Sequence, residues 1–266
     1  MQIDGSVVIV TGGASGIGRA LAQAFAAAGA RVVVGDVDED GAQQTAADIR
    51  ATGGSALALR ADASDTEHIK ALIALATTEF GAVDIYAANA GIIGGSGLGD
   101  EDEWDRILGV NLRAHVRAAR LLVPSWRSRG AGHFVSVASA AGLLTQIGAA
   151  GYAVSKHAAV GLAEWLAITF GDDGIGVSCV CPMAVETPLM QTIRDSEDAT
   201  QRLAADSVLR AGATVSPERV AELTVDAVAT GRFLVLPHPE ALEMYRGKGA
   251  DYDHWISGMR RYQRSL

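Results

Sequence analysis

Short β-branched runs alternate along this chain with longer helical stretches, and no other feature narrows its fold as far. The runs are Ser6–Val10, Arg31–Val34, Ser55–Leu59, Val83–Ala87, His133–Val137, Val177–Val180 and Phe233–Leu236. Between them lie helical stretches over Arg19–Ala28, Glu39–Thr52, Asp65–Phe80, Glu103–Ser128, Tyr152–Phe170 and Pro217–Thr230. Strands spaced by helices of this length form βαβ units, whose parallel strands are covered by helices on both faces. The 266 residues hold no Pro/Ser-rich linker, low-complexity tract or repeat of fixed period. The expected fold class is therefore α/β: one doubly wound parallel sheet over residues 1–236, followed by a C-terminal helical tail over 237–266.

Two segments break the alternation. Residues 187–212 are polar and Ala-rich and follow a strand end, the side on which doubly wound sheets bind ligands. They read as a substrate-covering segment, with an inert surface excursion as the alternative. In the tail, Tyr252, Trp255, Met259 and Tyr262 recur at helical spacing and form one stripe. That stripe docks on its own subunit, reaches a neighbouring one, or closes over a substrate.

Composition removes several function classes. A 49% hydrophobic and 20% charged chain is not disordered. With 22 Lys and Arg against 31 Asp and Glu, the net charge of −9 argues against a protein that neutralises nucleic-acid phosphates. No apolar run reaches the roughly 18–20 residues of a membrane span, and the first residues lack a cationic leader region. A cytoplasmic protein with no nucleic-acid or membrane partner is expected. Cys179 and Cys181 fall in a strand-like run, and alternation is expected to send them to opposite faces, unbridged, in a reducing cytosol. The six histidines show no metal-ligand spacing, so no metal is expected.

The first strand ends in Thr11-Gly12-Gly13-Ala14-Ser15-Gly16-Ile17-Gly18, directly before a helix. Glycines at such a turn let backbone N–H groups approach an anion, and the helix N-terminus adds its dipole to pyrophosphate binding. No Lys-Ser or Lys-Thr follows, which disfavours a mononucleotide P-loop. Asp36 ends the second strand, where a carboxylate accepts hydrogen bonds from a ribose 2′-OH and repels a 2′-phosphate. No cation lies between Asp36 and Gln44, and Ser15 is neutral, leaving Arg19 and Arg31 as the nearest candidates to reverse that preference. The cofactor read from these residues is NAD, ahead of NADP.

Tyr152 and Lys156 stand one helical turn apart, on one face. The chain has five tyrosines and three lysines, Lys70, Lys156 and Lys248, so the pairing carries weight. A phenol near pKa 10 is a poor base, but an adjacent ammonium and a cationic nicotinamide stabilise its anion. The pair then suits proton exchange with an alcohol or carbonyl oxygen. Ser139, at the end of strand His133–Val137, offers a hydroxyl to the same oxygen; no Gly-x-Ser-x-Gly elbow makes it a hydrolase nucleophile.

With these motifs in order, together with Asp62-Ala63, Asn89-Ala90-Gly91, Asn111 and Pro182…Thr187, the sequence resembles a classical short-chain dehydrogenase/reductase from residue 4 to about 236. The resemblance implies a Rossmann-type fold and assigns roles residue by residue. Tyr152 is the general acid/base, with Lys156 lowering its pKa and holding the nicotinamide ribose, and Ser139 orients the substrate oxygen. Asn111 holds a helix irregularity and a water behind Lys156. Asp62 and Ala63 meet the adenine; Asn89 and Gly91 line the adenine-ribose side, and Ile17 covers the turn made by Gly12, Ser15, Gly16 and Gly18. Pro182, Val185 and Thr187 lie at the nicotinamide end. A homotetramer, or less often a dimer, is implied, packed through helices Glu103–Ser128 and Tyr152–Phe170.

Three positions depart from the family pattern: Ala88 precedes Asn89, Ser136 replaces an Asn before the catalytic serine, and Met183 replaces the glycine usual after Pro182. By position, Leu143, Leu144, Gln146, Met183, Leu189 and Met190 border the substrate and suggest a largely apolar alcohol or ketone, with one polar contact from Gln146. The function expected is hydride transfer between NAD(H) and a secondary alcohol/ketone pair. A non-catalytic dinucleotide-binding regulator and an NAD-dependent epimerase or dehydratase are the alternatives.

Overall fold

The computed structural model describes residues 1–266. At its centre is β1 (Val7–Thr11), in which every residue is buried. An apolar run without alternation is what a strand covered on both faces requires. It lies between β2 (Arg31–Asp36) and β4 (Ile85–Ala88). With β3 (Ser55–Arg60), β5 (Gly132–Val137), β6 (Ile175–Val180) and β7 (Leu234–Val235), they form one parallel sheet in the order β3-β2-β1-β4-β5-β6-β7. The chain therefore winds outward from β1 to β3, returns to β4, and winds the other way to β7. The reversal between β1 and β4 leaves a cleft beyond their carboxyl ends.

Alternation within β1 divides the core in two. Val8 and Val10 pack with Leu21 and Phe25 of α1 (Gly16–Ala27), Ile49 of α2 (Glu39–Ala51) and Val228 of α10 (Pro217–Thr230). Val7 and Ile9 face the opposite layer, with Leu72 of α3 (Thr66–Glu79), Trp126 of α5 (Ala114–Arg129) and Leu166 of α7 (Ala150–Phe170). Asp38, Asp65 and Ser216 start α2, α3 and α10 by accepting a backbone N–H of the first turn. No helix is long and apolar enough to cross a membrane.

Most strand ends move by one or two residues from the sequence expectation. Larger differences have local causes. The stretch expected as one helix over Glu103–Ser128 is α4 (Glu101–Leu108), a π turn (Gly109–Arg113) and then α5. Residues 187–212 hold two helices, α8 (Pro188–Arg194) and α9 (Ala199–Leu209). The tail is also two helices, α11 (Glu240–Ala250) and α12 (Tyr252–Ser265), separated at Asp251, whose carboxylate accepts the His254 N–H and caps the second. A short α6 (Ala141–Leu144) follows β5.

The two cysteines require a correction. Residues two apart on a strand share a face, because side-chain alternation has a period of two. Cys179 and Cys181 accordingly both lie in the α7 layer, with their Sγ atoms 3.8 Å apart and unbridged.

One buried histidine ties α5 to the sheet and another bridges two neighbouring strands. His115 Nδ1 pairs with Ser136 Oγ at 3.1 Å, and His133 Nε2 pairs with Ser178 Oγ at 3.0 Å. Burial pushes their pKa values down, to about 3 for His115 and about 4 for His133. The folded values lie below that of a free histidine, so the unfolded chain takes up the protons first. Stability is full above about pH 6.5 and falls as pH drops toward 4, at up to about 1.4 kcal/mol per pH unit for each histidine. Urea unfolding at pH 7.0 and 4.5 should give a lower midpoint in acid, and His115→Phe should shrink that difference.

Candidate active site

The cleft at the strand reversal is held open by one residue from each side. Thr11 Oγ1 donates to the Ala87 carbonyl at 3.3 Å and accepts the Asn89 N–H at 3.1 Å. Asn89 Nδ2 in return donates to the Thr11 and Gly12 carbonyls at 2.9 and 3.1 Å. The glycine turn then runs into α1. Gly12 and Gly16 have φ of +66° and +51°, and a Cβ on Gly18 would stand 1.9 Å from the Gly12 carbonyl oxygen. No acidic residue occupies the first turn of α1, and Ser15 places no side-chain cap on it. Those first amides are free for an external acceptor.

The turn opens into a groove of about 530 Å³. Every dinucleotide residue expected from the sequence borders it, from Gly12, Ser15, Gly16, Ile17 and Gly18, through Asp36, Asp62 and Ala63, to Asn89 and Gly91. Tyr152, Lys156, Pro182, Val185 and Thr187 line its far end. The Asp36 carboxylate accepts the Ala14 N–H at 2.9 Å and the Asp38 N–H at 3.0 Å, and Asp38 is the residue that caps α2. Asp62 is oriented by Ser64, whose N–H and hydroxyl both reach it at 2.7 Å. Arg19 donates to the Ala14 carbonyl, and Arg31 to those of Phe80 and Gly5. Both guanidinium groups are thus engaged with the backbone.

At the inner end, Ser139 follows β5 while Tyr152 and Lys156 project from α7. Lys156 Nζ donates to the Val137 carbonyl at 3.0 Å and sits 5.6 Å from the centre of the Tyr152 ring. Burial lowers the Lys156 pKa to about 8. From the sequence an adjacent ammonium is expected to lower the phenol's pKa; burial instead raises Tyr152, while a hydrogen bond with Ser139 pulls the value back. Asn111, in the π turn, is fully buried. Its amide takes the Ile92 N–H and donates to the Ile92 carbonyl, both at 2.9 Å, and donates to Ser155 Oγ at 3.0 Å. The extra residue of the π turn brings that amide to the loop after Asn89.

A second cavity, of about 400 Å³, adjoins the groove and is mostly apolar. Leu144, Ile147, Met183 and Val208 form part of its wall, and the tail supplies Met244, Trp255, Met259 and Tyr262. Of the residues expected at the substrate, Leu143 instead lies in the core, and Leu189 and Met190 border the dinucleotide groove. Gln146 borders both cavities, but its Nε2 is engaged at 3.1 Å with the Ile147 and Ala204 carbonyls and with Ser207 Oγ. Its NH2 group anchors α9 and is not a free polar contact. Tyr252, expected in the same stripe as Trp255, is exposed.

The tail is fastened to its own chain. Tyr262 donates to the Ser207 carbonyl at 2.9 Å, and buried Lys248 donates to the Leu143 carbonyl at 2.6 Å, with His157 Nε2 at 3.4 Å and the Tyr252 ring centre at 5.5 Å. Sequence reasoning passed over Lys248, Met244 and His238, because the partners of Lys248 and His238 are 54 to 105 residues away.

A family model described as short chain dehydrogenase matches residues 6–198. The chain belongs to the short-chain dehydrogenase family, whose members are oxidoreductases. It is similar to a 1-deoxy-11-beta-hydroxypentalenate dehydrogenase of Streptomyces exfoliatus, 34% identical over 91% of this chain and 86% of that one. A cyclohexanol dehydrogenase of Acinetobacter sp. (strain SE19) is also 34% identical, over 74% and 79%. Among solved structures, a short-chain dehydrogenase/reductase from Burkholderia phymatum, in complex with NAD, matches with a TM-score of 0.86 and 32% identity over 95% of this chain and 96% of that one. This short-chain dehydrogenase therefore shares its fold with that neighbour through most of the tail.

Removing the Lys248 ammonium leaves the Leu143 carbonyl without this donor, at a cost of about 1–3 kcal/mol. Lys248→Met should accelerate hydrogen exchange across residues 240–265 while exchange in β1 and β4 stays at the parent rate.

Proposed function

We propose that this enzyme transfers a hydride between NAD(H) and a bulky, apolar secondary alcohol or the corresponding ketone. The observation that carries the reading is that Ser139, Gln146 and Met183 border both the dinucleotide groove and the apolar cavity. A molecule filling the cavity thereby meets Ser139 at the end of the groove where Tyr152 and Lys156 lie.

A nicotinamide held at the Pro182, Val185 and Thr187 end of the groove would supply hydride exchange with the carbinol carbon. Ser139 donates to the substrate oxygen and fixes its distance from Tyr152. The Tyr152 oxygen takes the hydroxyl proton in oxidation and gives it back in reduction. The Lys156 ammonium favours the phenolate electrostatically, and burial beside apolar side chains strengthens that attraction relative to water. Asn111 braces the π turn behind them. Gly12, Ser15, Gly16, Ile17 and Gly18 hold the pyrophosphate, Asp62 and Ala63 the adenine, Asn89 and Gly91 the adjoining ribose, and Pro182, Val185 and Thr187 the carboxamide end.

NAD is favoured over NADP because Asp36 faces the groove while Arg19 and Arg31 are engaged with backbone carbonyls. A 2′-phosphate would meet an uncompensated carboxylate. The cavity's apolar wall, with no carboxylate or lysine, favours an uncharged substrate. The similarity to a cyclohexanol dehydrogenase supports an alicyclic one. The outward face of α7 exposes Val154, Trp165 and Ile168, which supports a homotetramer, or a dimer, packed through this helix.

With cyclohexanol, borneol and 1-phenylethanol as probes near pH 9, NADH should form from NAD, with kcat/KM for NAD exceeding that for NADP at least tenfold. Tyr152→Phe should lower kcat at least a thousandfold and leave the Kd for NADH within threefold. NADH binding with no turnover across the panel would favour a regulator, and an active Tyr152→Phe chain would overturn the acid/base assignment.

A further inference from the structure

Met183 borders both cavities and so forms part of the partition between them, and the backbone of Pro182–Thr187 around it is held by a series of hydrogen bonds. The Ala140 N–H donates to the Pro182 carbonyl at 2.8 Å, the Val215 N–H to the Ala184 carbonyl at 3.1 Å, and the Glu186 N–H to the Val215 carbonyl at 3.0 Å. The Met183 N–H, in the middle, is met by a side chain. His238 Nδ1 accepts it at 3.1 Å, and His238 Nε2 donates to the Ala184 carbonyl at 3.1 Å.

These two bonds define the imidazole. One ring nitrogen faces a donor and the other an acceptor, a demand that only the neutral ring protonated on Nε2 satisfies. His238 is 1% exposed, so neither bond has water as a ready substitute. It stands between Pro237 and Pro239, whose rings restrict φ on either side, and Pro239 leads directly into α11. The ring is thus delivered to the partition from the root of the tail.

What it holds bears on the reaction. Met183 stands where family members usually carry glycine, and its side chain borders both cavities. A shift of its backbone by a fraction of an ångström moves a thioether at the boundary where hydride is transferred. Val185 and Thr187, two and four residues on, border the dinucleotide groove.

We propose that His238 is a positioning residue for the reaction: its neutral imidazole clamps the Met183 N–H and the Ala184 carbonyl, fixing the partition that sets substrate against nicotinamide. The proposal rests on the alcohol–ketone reading above for its catalytic consequence, while the clamp itself stands on the hydrogen bonds. A glutamine amide carries an acceptor and a donor and can make both bonds; leucine can make neither.

Three chains decide it: the parent, His238→Gln and His238→Leu. Hydrogen exchange of the Met183 amide without cofactor should be at least tenfold faster in His238→Leu, with β1 unchanged, and within threefold of the parent in His238→Gln. With NAD and cyclohexanol, His238→Leu should bind one NADH per chain, lose at least tenfold in kcat with KM within threefold, and show a larger isotope effect with 1-deuteriocyclohexanol. His238→Gln should retain kcat within threefold. Unchanged exchange in His238→Leu, or faster exchange with kcat within twofold of the parent, overturns the proposal. So does a loss of rate matched by lost NADH-binding sites with an unaltered isotope effect, since that marks a purely structural role. Should His238→Leu fail to fold, a tenfold kcat loss in folded His238→Gln overturns it and retention supports it. A parent inactive on every alcohol defeats the alcohol–ketone reading, yet the exchange comparison still decides the clamp.

Discussion

The exchange of hydrogen bonds between Thr11 and Asn89 is the constraint on which the rest depends. β1 and β4 are neighbours in the sheet, but the chain departs from them in opposite directions. Without a cross-link at their carboxyl ends, nothing would fix the width of the opening. Thr11 Oγ1 and the Asn89 amide supply that link, and the amide also reaches the Gly12 carbonyl at the start of the glycine turn. A side chain just beyond β4 therefore sets the height at which α1 begins. The groove, its glycines and the approach to Tyr152 all take their positions from this crossing.

From there the architecture is a series of backbone clasps made by side chains. Asn111 holds both polar groups of Ile92, His238 holds Met183 and Ala184, and Gln146 and Lys248 bind carbonyls on neighbouring elements. Ile92 and Met183 lie outside regular helix and strand, so these side chains meet peptide groups that the sheet and helices do not partner; Gln146 and His238 add a second donor to the Ala204 and Ala184 carbonyls. Loops near the cleft are in this way held from several directions, and Lys156 is buried beneath the groove that Tyr152 lines. Burial explains why the phenol's pKa rises: loss of hydration disfavours the anion.

Much of this was legible in the sequence because it depends on local periodicity. The β1 run, the Thr11–Gly18 turn and the Tyr152/Lys156 spacing each carry their signal within a dozen residues, and α10 spans the Pro217–Thr230 stretch expected for it. The π turn was legible only through the family resemblance, which implied a helix irregularity at Asn111; in pattern Gly109–Arg113 is helical, and the partner of Asn111 is the distant Ile92. Leu143 and Leu144 are indistinguishable by composition, and both enter the core, yet only Leu144 also borders the cavity. Lys248 reads as an ordinary exposed lysine until α11 lies against Leu143. The cysteine expectation failed for a simpler reason: residues two apart on a strand share a face, so Cys179 and Cys181 point into one layer.

Three of the chain's five methionines, Met183, Met244 and Met259, line the apolar cavity. Unbranched thioethers adapt to irregular shapes, so this wall can accommodate alcohols that differ in outline. Such softness carries a chemical liability, because oxidation of a thioether to the sulfoxide makes it polar and chiral. Peroxide would reach this lining from the substrate side while the sheet stays covered by its helices. Oxidative damage would then erase the choice of substrate before it loosened the fold or the hold on the dinucleotide.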